Sequence, residues 1–135
     1  MPLYLADTSA WHRSGAAFDR WADLVARGEL AVCVPVVLEL AYSARGAQDF
    51  SSLRDQLAGL PTLPLDEEAS GAATEMQSAL VTRAQHRGPR PMDLLIAAIA
   101  RIHGAILLHY DRHFDAIAGV TGQPMEWLAR RGSLD

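Results

Sequence analysis

The stretch MDLLIAAIARIHGAILLHYD, residues 92–111, changes its hydrophobic period partway along. From Met92 to His103 the apolar residues Leu95, Ile99 and Ile102 recur at spacings of four and three, the period of a helix face. Gly104 reads as a helix stop. Ala105 to Leu108 is then an unbroken apolar run of strand length, and His109 to Phe114 is a polar turn entering a short helix. Two acids bracket the unit, with Asp93 opening the helix and Asp111 following the strand.

Working outward, the same alternation extends through the chain. Leu3 to Ala6 reads as a short buried strand leading to a helix or turn from about Thr8. Phe18, Trp21, Leu24 and Val25 fall at helical spacing with Gly28 as a stop, which predicts core packing for Phe18 and Trp21. Leu30 to Val34 is a strand-length apolar run, and Pro35 stands at a first helical position before a helix over 36–45 that buries Val37, Leu40 and Ala41. Further helices are predicted over 49–58 and 67–86, the latter with Met76 and Leu80 inward, joined by the Pro-containing LPTLPL as a short strand or extended connection. HRGPRP at 86–91 is a turn, 120–123 a loop, and Met125 to Leu128 an edge strand. Strands alternating with helices predict an α/β sandwich with a mostly parallel central sheet.

At 135 residues, half of them hydrophobic and 21% charged, the chain suits one globular domain spanning 1–135. Cys33 is the only cysteine, so no intrachain disulfide forms, and a buried thiol in a reducing cytoplasm is expected. No apolar run of about 18 residues is present to span a bilayer, and the N-terminus lacks the basic start of a signal peptide, so no membrane partner is expected. The net charge of −4 argues against recognition of a partner by overall basicity. All 12 basic residues besides histidine are arginines, whose planar forks grip phosphate, and a compositional bias of the source genome is the competing explanation.

In open parallel sheets the functional crevice lies beyond the carboxyl ends of the strands. Asp7 follows the first strand directly, in LADTSAW. Glu39 stands one turn into the helix after the second strand, within the apolar VPVVLELA. With Asp93 and Asp111 this makes four carboxylates that the topology can gather at one edge. Each has an ordinary reading: Asp7 and Asp93 as helix-start acids, Asp111 as a turn residue. Glu39 resists it, because an acid in an apolar helix either faces solvent or has a partner worth its desolvation. Clustered carboxylates repel and raise each other's pKa unless cations neutralise them. An all-oxygen set therefore predicts a hard divalent ion, Mg²⁺ or Mn²⁺, which is suited to phosphodiester cleavage.

These residues resemble the PIN-domain ribonucleases, and within them the VapC-type toxins of bacterial toxin–antitoxin pairs. The resemblance runs from LADTSAW through VPVVLELAYSAR and MDLLIAAIARIHGAILLHYDRHFDAIA to MEWL. It implies a PIN-like three-layer α/β/α sandwich and a Mg²⁺- or Mn²⁺-dependent endoribonuclease acting on RNA. It also implies a homodimer held inactive by a cognate VapB-like antitoxin. The family's four acids match Asp7, Glu39, Asp93 and Asp111, with Asp7 and Asp93 expected as direct metal ligands. Ser9 matches a supporting hydroxyl, although Thr8 and Ser9 equally suit helix capping.

Several residues stay open at this point. Asp115 is a candidate fifth acid or a helix-start residue, and His109 and His113 are candidate proton carriers or packing groups. Arg13 and Arg112 are placed to meet RNA phosphate or simply to face solvent. Trp11 follows the candidate site directly and is a candidate for a partner groove. Two other functions compete: a phosphatase or receiver-like phosphotransfer module using Asp7 as acceptor, weakened by the absence of a lysine, and a noncatalytic α/β binding protein whose acids are only caps.

Overall fold

The computed structural model describes residues 2–135. Strand β1 (Tyr4–Ala6) leads into α1 (Thr8–His12), a 3-10 turn (Ser14–Ala17) and α2 (Phe18–Ala26). Next come β2 (Leu30–Ala31), α3 (Val34–Tyr42), α4 (Ala47–Leu57) and α5 (Glu67–Thr82). The chain closes with α6 (Pro91–Ile102), β3 (Ile106–His109), α7 (His113–Thr121) and β4 (Met125–Trp127). The four strands pair in the order β2-β1-β3-β4, all parallel.

Strand alternation builds the layers. Leu5, Ala31 and Leu107 face a core completed by Val36, Met76, Leu80, Ile96, Ile99 and Phe114. Their neighbours Ala6, Leu30 and Leu108 face the opposite core, with Ala10, Trp21, Leu24 and Leu128. With both faces covered, β1, β2 and the first three residues of β3 read as apolar runs rather than alternating. The chain steps from β1 outward to β2 and then crosses to β3 on the other side of β1. The topological switch therefore lies between β1 and β3, whose ends are level: Ala6 pairs with Leu108, and the Asp7 N–H donates to the Leu108 carbonyl at 3.0 Å.

Helix α6 departs from the three-residue stripe expected of it. Leu94 and every residue from Ile96 to Ala100 are buried, while Leu95 and Ile102 are only partly so. It packs between the sheet and α5, and Ala97, Ala98 and Ala100 leave room for both neighbours. Gly104 stops it as expected, at a left-handed φ of 68°, with the Ala105 N–H closing onto the Ala100 carbonyl at 2.9 Å.

Other expectations need correction. Only Leu30–Ala31 is strand, and Val32 makes one parallel bridge to Thr62, the extent to which the proline-flanked LPTLPL pairs. Helix α3 starts at Val34 and ends at Tyr42; its buried residues are Pro35 and Val36, with Leu40 partly covered and Val37 and Ala41 intermediate. Helix α4 has no fully buried residue. Helix α5 ends at Thr82 because Ala84 turns left-handed, at φ 55°, and the Gln85 N–H returns to the Leu80 carbonyl. Residues 120 and 121 belong to α7 rather than to a loop. Trp21 is buried as expected, but Phe18 opens α2 with 65% of its surface exposed. No helix among the described residues is long and apolar enough to cross a membrane.

Candidate functional site

Asp7 leaves β1 with extended backbone and is itself the N-cap of α1: its Oδ1 accepts from the Ala10 N–H at 3.1 Å and from the Ser9 hydroxyl at 2.7 Å. This corrects the expected division of labour. The carboxylate does the capping, while the Thr8 hydroxyl serves Glu39 and the Ser9 hydroxyl serves Asp7 and the strand edge. Thr8 Oγ1 donates to Glu39 Oε1 at 2.7 Å. Ser9 Oγ also accepts from the Tyr110 N–H at 2.9 Å, tying the end of β1 to the residue after β3.

Asp7 is only 2% exposed, and burial is the main reason its pKa rises to about 7. The bonds from Ser9 and Ala10 pull it back down, and the charge of Asp93 adds to the rise. Asp93 is 1% exposed, in the first turn of α6, with Oδ2 accepting from the Arg90 N–H at 2.9 Å. Its Oδ1 accepts from Arg90 Nη2 at 3.1 Å, while Arg90 Nη1 lies 3.1 Å from Glu39 Oε2. One guanidinium thus bridges acids from α3 and α6. Hydrogen bonding to Asp93 and the fields of Asp93, Glu39 and Asp111 strengthen its hold on its proton.

Asp111 stands further out. It lies two residues past the end of β3, and its Oδ1 accepts from the His113 N–H at 2.9 Å, a turn-closing bond at the entry to α7. Its own N–H donates to His109 Nδ1 at 3.2 Å. His109 is buried between the rings of Phe114 and Trp127, and burial lowers its pKa, so it serves as a neutral packing and hydrogen-bonding group. Asp115 is turned away, accepting from Trp127 Nε1 at 3.3 Å with Arg131 at 3.9 Å. Cys33 is buried with its thiol pushed up to about 11, chiefly by desolvation, and is inert.

Asp7, Glu39 and Asp93 therefore gather at the β1/β3 switch point, with Asp111 within electrostatic reach. Among the described residues no three His, Cys, Asp or Glu side chains stand closely enough to enclose an ion as they are. The donor set nevertheless fits a hard divalent cation: it is all oxygen, it holds two nearly fully buried acids, and a positive group already bridges two of its members. The site opens into a cleft of about 600 Å³ whose lining includes Thr8, Ser9, His12, Arg13, Glu39 and Arg90. A second cleft of about 440 Å³ shares Ser9 and Arg13 and adds Asp111, Arg112 and Arg131 beside Tyr110 and Trp127. Arg13 stacks on Tyr110 at 4.7 Å, so both arginines singled out from the sequence border the site. Trp11 lies partly covered, edge-on to Trp21 with 4.7 Å between ring centroids.

Two participants were missed in the sequence. Thr8 is the partner that offsets the desolvation of Glu39, and it looked like a cap. Arg90 was absorbed into a turn, although an arginine between two prolines and three residues ahead of an acid carries a signal. Pro91 fixes the first helical position, Arg90 is held extended before it, and the i,i+3 spacing brings the two charges together.

The PIN-domain family model matches residues 4–120. Ribonuclease VapC18 of Mycobacterium tuberculosis is 38% identical over 136 residues, covering 98% of this chain and 99% of its own. Ribonuclease VapC21 of the same species is also 38% identical, covering 96% of each chain. Among solved structures, a chain of the DNA-bound VapBC complex from Salmonella typhimurium superposes with a TM-score of 0.78 at 17% identity, over 96% of this chain and 100% of that one. The family model spans most of the chain and curated relatives are 38% identical over nearly its full length, so the chain belongs to the PIN-domain family, alongside the VapC ribonucleases.

Proposed function

We propose that this chain is the ribonuclease toxin of a VapBC-type pair, a hydrolase that cleaves RNA phosphodiester bonds at Asp7, Glu39, Asp93 and Asp111. The observation that carries the reading is the pair of nearly fully buried acids, Asp7 and Asp93, at the β1/β3 switch point. Two negative groups in so dry a place need a cation, and the full-length likeness to VapC ribonucleases supplies the reaction class. Asp7 and Asp93 are the direct ligands of a Mg²⁺ or Mn²⁺ ion, with Glu39 and Asp111 completing the acidic site. Bound there, the ion supplies an activated water and charge compensation for the phosphate.

The chain's own residues prepare that chemistry. Ser9 and Ala10 fix the Asp7 carboxylate, Thr8 fixes Glu39, and the Arg90 N–H fixes Asp93. Arg13, Arg112 and Arg131 border the clefts through which a polyanion approaches. The partners are RNA and a VapB-like antitoxin. The chain acts as a homodimer of single nuclease domains, each residues 1–135, in the cytoplasm. A phosphotransfer role for Asp7 is disfavoured, because a nucleophile that is 2% exposed and bonded to Ser9 and Ala10 is poorly presented to a phosphoryl group.

The test is cleavage of a structured RNA by the purified protein, expected with millimolar Mn²⁺ or Mg²⁺ and lost in EDTA. The same ions should raise the melting temperature, since a ligand that binds only the folded protein stabilises it. Cleavage unaffected by EDTA, or a melting temperature indifferent to both ions, would count against the metal site.

A further inference from the structure

The Arg90 guanidinium is placed unusually for a surface arginine. It is 59% exposed, yet Nη2 reaches the 1%-exposed Asp93 and Nη1 reaches Glu39, each at 3.1 Å. With the Arg90 N–H on Asp93 Oδ2 as well, both oxygens of Asp93 are engaged by this one residue. Thr8 and Arg90 likewise take one oxygen each of Glu39. A cation held by Asp7 and Asp93 beside Glu39 competes with this bridge for the oxygens of Asp93 and for the charge of Glu39. The backbone bond to Asp93 and the Thr8 bond to Glu39 need not break, so both acids stay aimed when the guanidinium leaves. The side chain has somewhere to go, because it already lines the approximately 600 Å³ cleft beside His12 and Arg13. A freed guanidinium at the mouth of a nuclease site meets phosphate, for which its planar fork is fitted.

Building on the proposed nuclease function, we propose that Arg90 is an exchangeable counter-ion. It bridges Glu39 and Asp93 and offsets one of their two charges in the metal-free protein, yields them to the divalent ion, and then binds the RNA phosphate. The exchange keeps Glu39 and Asp93 partly compensated before the ion arrives and places a phosphate-binding group at the site once it has.

The experiment titrates Mn²⁺ alone into wild-type, Arg90→Gln and Arg90→Lys proteins by calorimetry. It then measures KM and kcat for a short single-stranded RNA at saturating Mn²⁺. Arg90→Gln should bind Mn²⁺ about threefold to tenfold more tightly, the scale of two partly exposed ion pairs relinquished, while its KM for RNA rises about fivefold or more. Arg90→Lys should keep Mn²⁺ affinity near that of wild type but still raise KM, because a point charge replaces a bidentate fork. Opposite movements of metal and RNA affinity are not expected of a residue that merely holds the fold. Equal or weaker Mn²⁺ binding by Arg90→Gln overturns the exchange, and an unchanged KM overturns the transfer to phosphate. Mn²⁺ binding by none of the three proteins overturns the metal site itself, an outcome distinct from both.

Discussion

Asp7 and Asp111 occupy formally equivalent places, each shortly after a buried central strand, and the structure treats them differently. Asp7 comes immediately after β1, where the backbone is still extended and bonded to the Leu108 carbonyl, so its side chain stays within the layered core and caps α1. Asp111 comes two residues after β3, with Tyr110 between, and closes the turn into α7 from a half-buried position. One extra residue separates an acid whose pKa rises to about 7 from one that acts as a turn acceptor. Topology thus brings carboxylates to a common edge, but the register at each strand end decides which of them loses its water. The acid that loses most solvation gains most from a bound cation, so the two should differ in function and in response to pH.

The widest gap should appear in catalysis. Asp7→Asn should lower metal-dependent RNA cleavage by more than about 100-fold, beyond the 10–100-fold typical of losing a group that only orients a ligand. Asp111→Asn should fall within that lesser range. Single-turnover cleavage at saturating Mn²⁺, with circular dichroism as the control for folding, compares them. Equal losses would mean that burial does not rank these acids, and a larger loss for Asp111→Asn would invert the comparison.

A smaller but more specific difference concerns the metal-free protein. Asp7 binds its proton more tightly folded than unfolded, with a pKa of about 7 against an ordinary 3.8. Between these values the native state holds a proton that the unfolded state has released, so stability falls as pH rises through that window and levels off above it. From pH 5 to pH 7.5 this contributes a loss on the order of 2 kcal/mol, or about 7 °C in melting temperature for a domain of this size. Asp7→Asn should remove that part of the slope and Asp111→Asn should retain it. Melting curves in EDTA at the two pH values make the check, and parallel slopes for wild type and Asp7→Asn would refute the assignment.

The contrast between the two acids marks how far the sequence could be read. Alternation of helix and strand periods, with Gly104 and the apolar AILL run, was enough for the α/β class and for the end at which the acids gather. It was not enough for element ends: β2 is two residues long because the chain turns into α3 at Val34, and nothing in the run AVCV marks that turn. Nor does a periodic pattern reveal how many sides of a helix are covered. The stripe of three in α6 underestimates a helix packed between a sheet and α5, and the apolar residues Phe50, Leu53 and Leu57 of α4 leave it with no fully buried residue. At the site, residue types announced the acids. Their partners stayed hidden because Thr8 and Arg90 meet them only after folding, across separations of 31 and 51 residues for Glu39.

The finest distinction lies in Ser9, which touches both strand ends. Its hydroxyl donates to Asp7 Oδ1 and accepts from the Tyr110 N–H next to Asp111, so Ser9→Ala removes one bond that favours the charged Asp7 and one that is indifferent to charge. Leaving the Tyr110 N–H without its acceptor costs about 1 kcal/mol at any pH. The lost bond to Asp7 acts only where that carboxyl is ionised, since the Ser9 hydroxyl is among the groups that lower its pKa. Ser9→Ala should therefore raise the folded pKa of Asp7 further and be more destabilising at pH 8.5 than at pH 5.5, by a further two to four degrees or so in melting temperature on the scale of one lost bond, roughly 0.5–1 kcal/mol. In the Asp7→Asn background that extra loss should vanish while the constant part remains, because the amide never ionises. A Ser9→Ala effect of one size at both pH values would show that Ser9 only joins the strand ends, and that the charged form of Asp7 is favoured by backbone N–H groups alone, against the pull of burial.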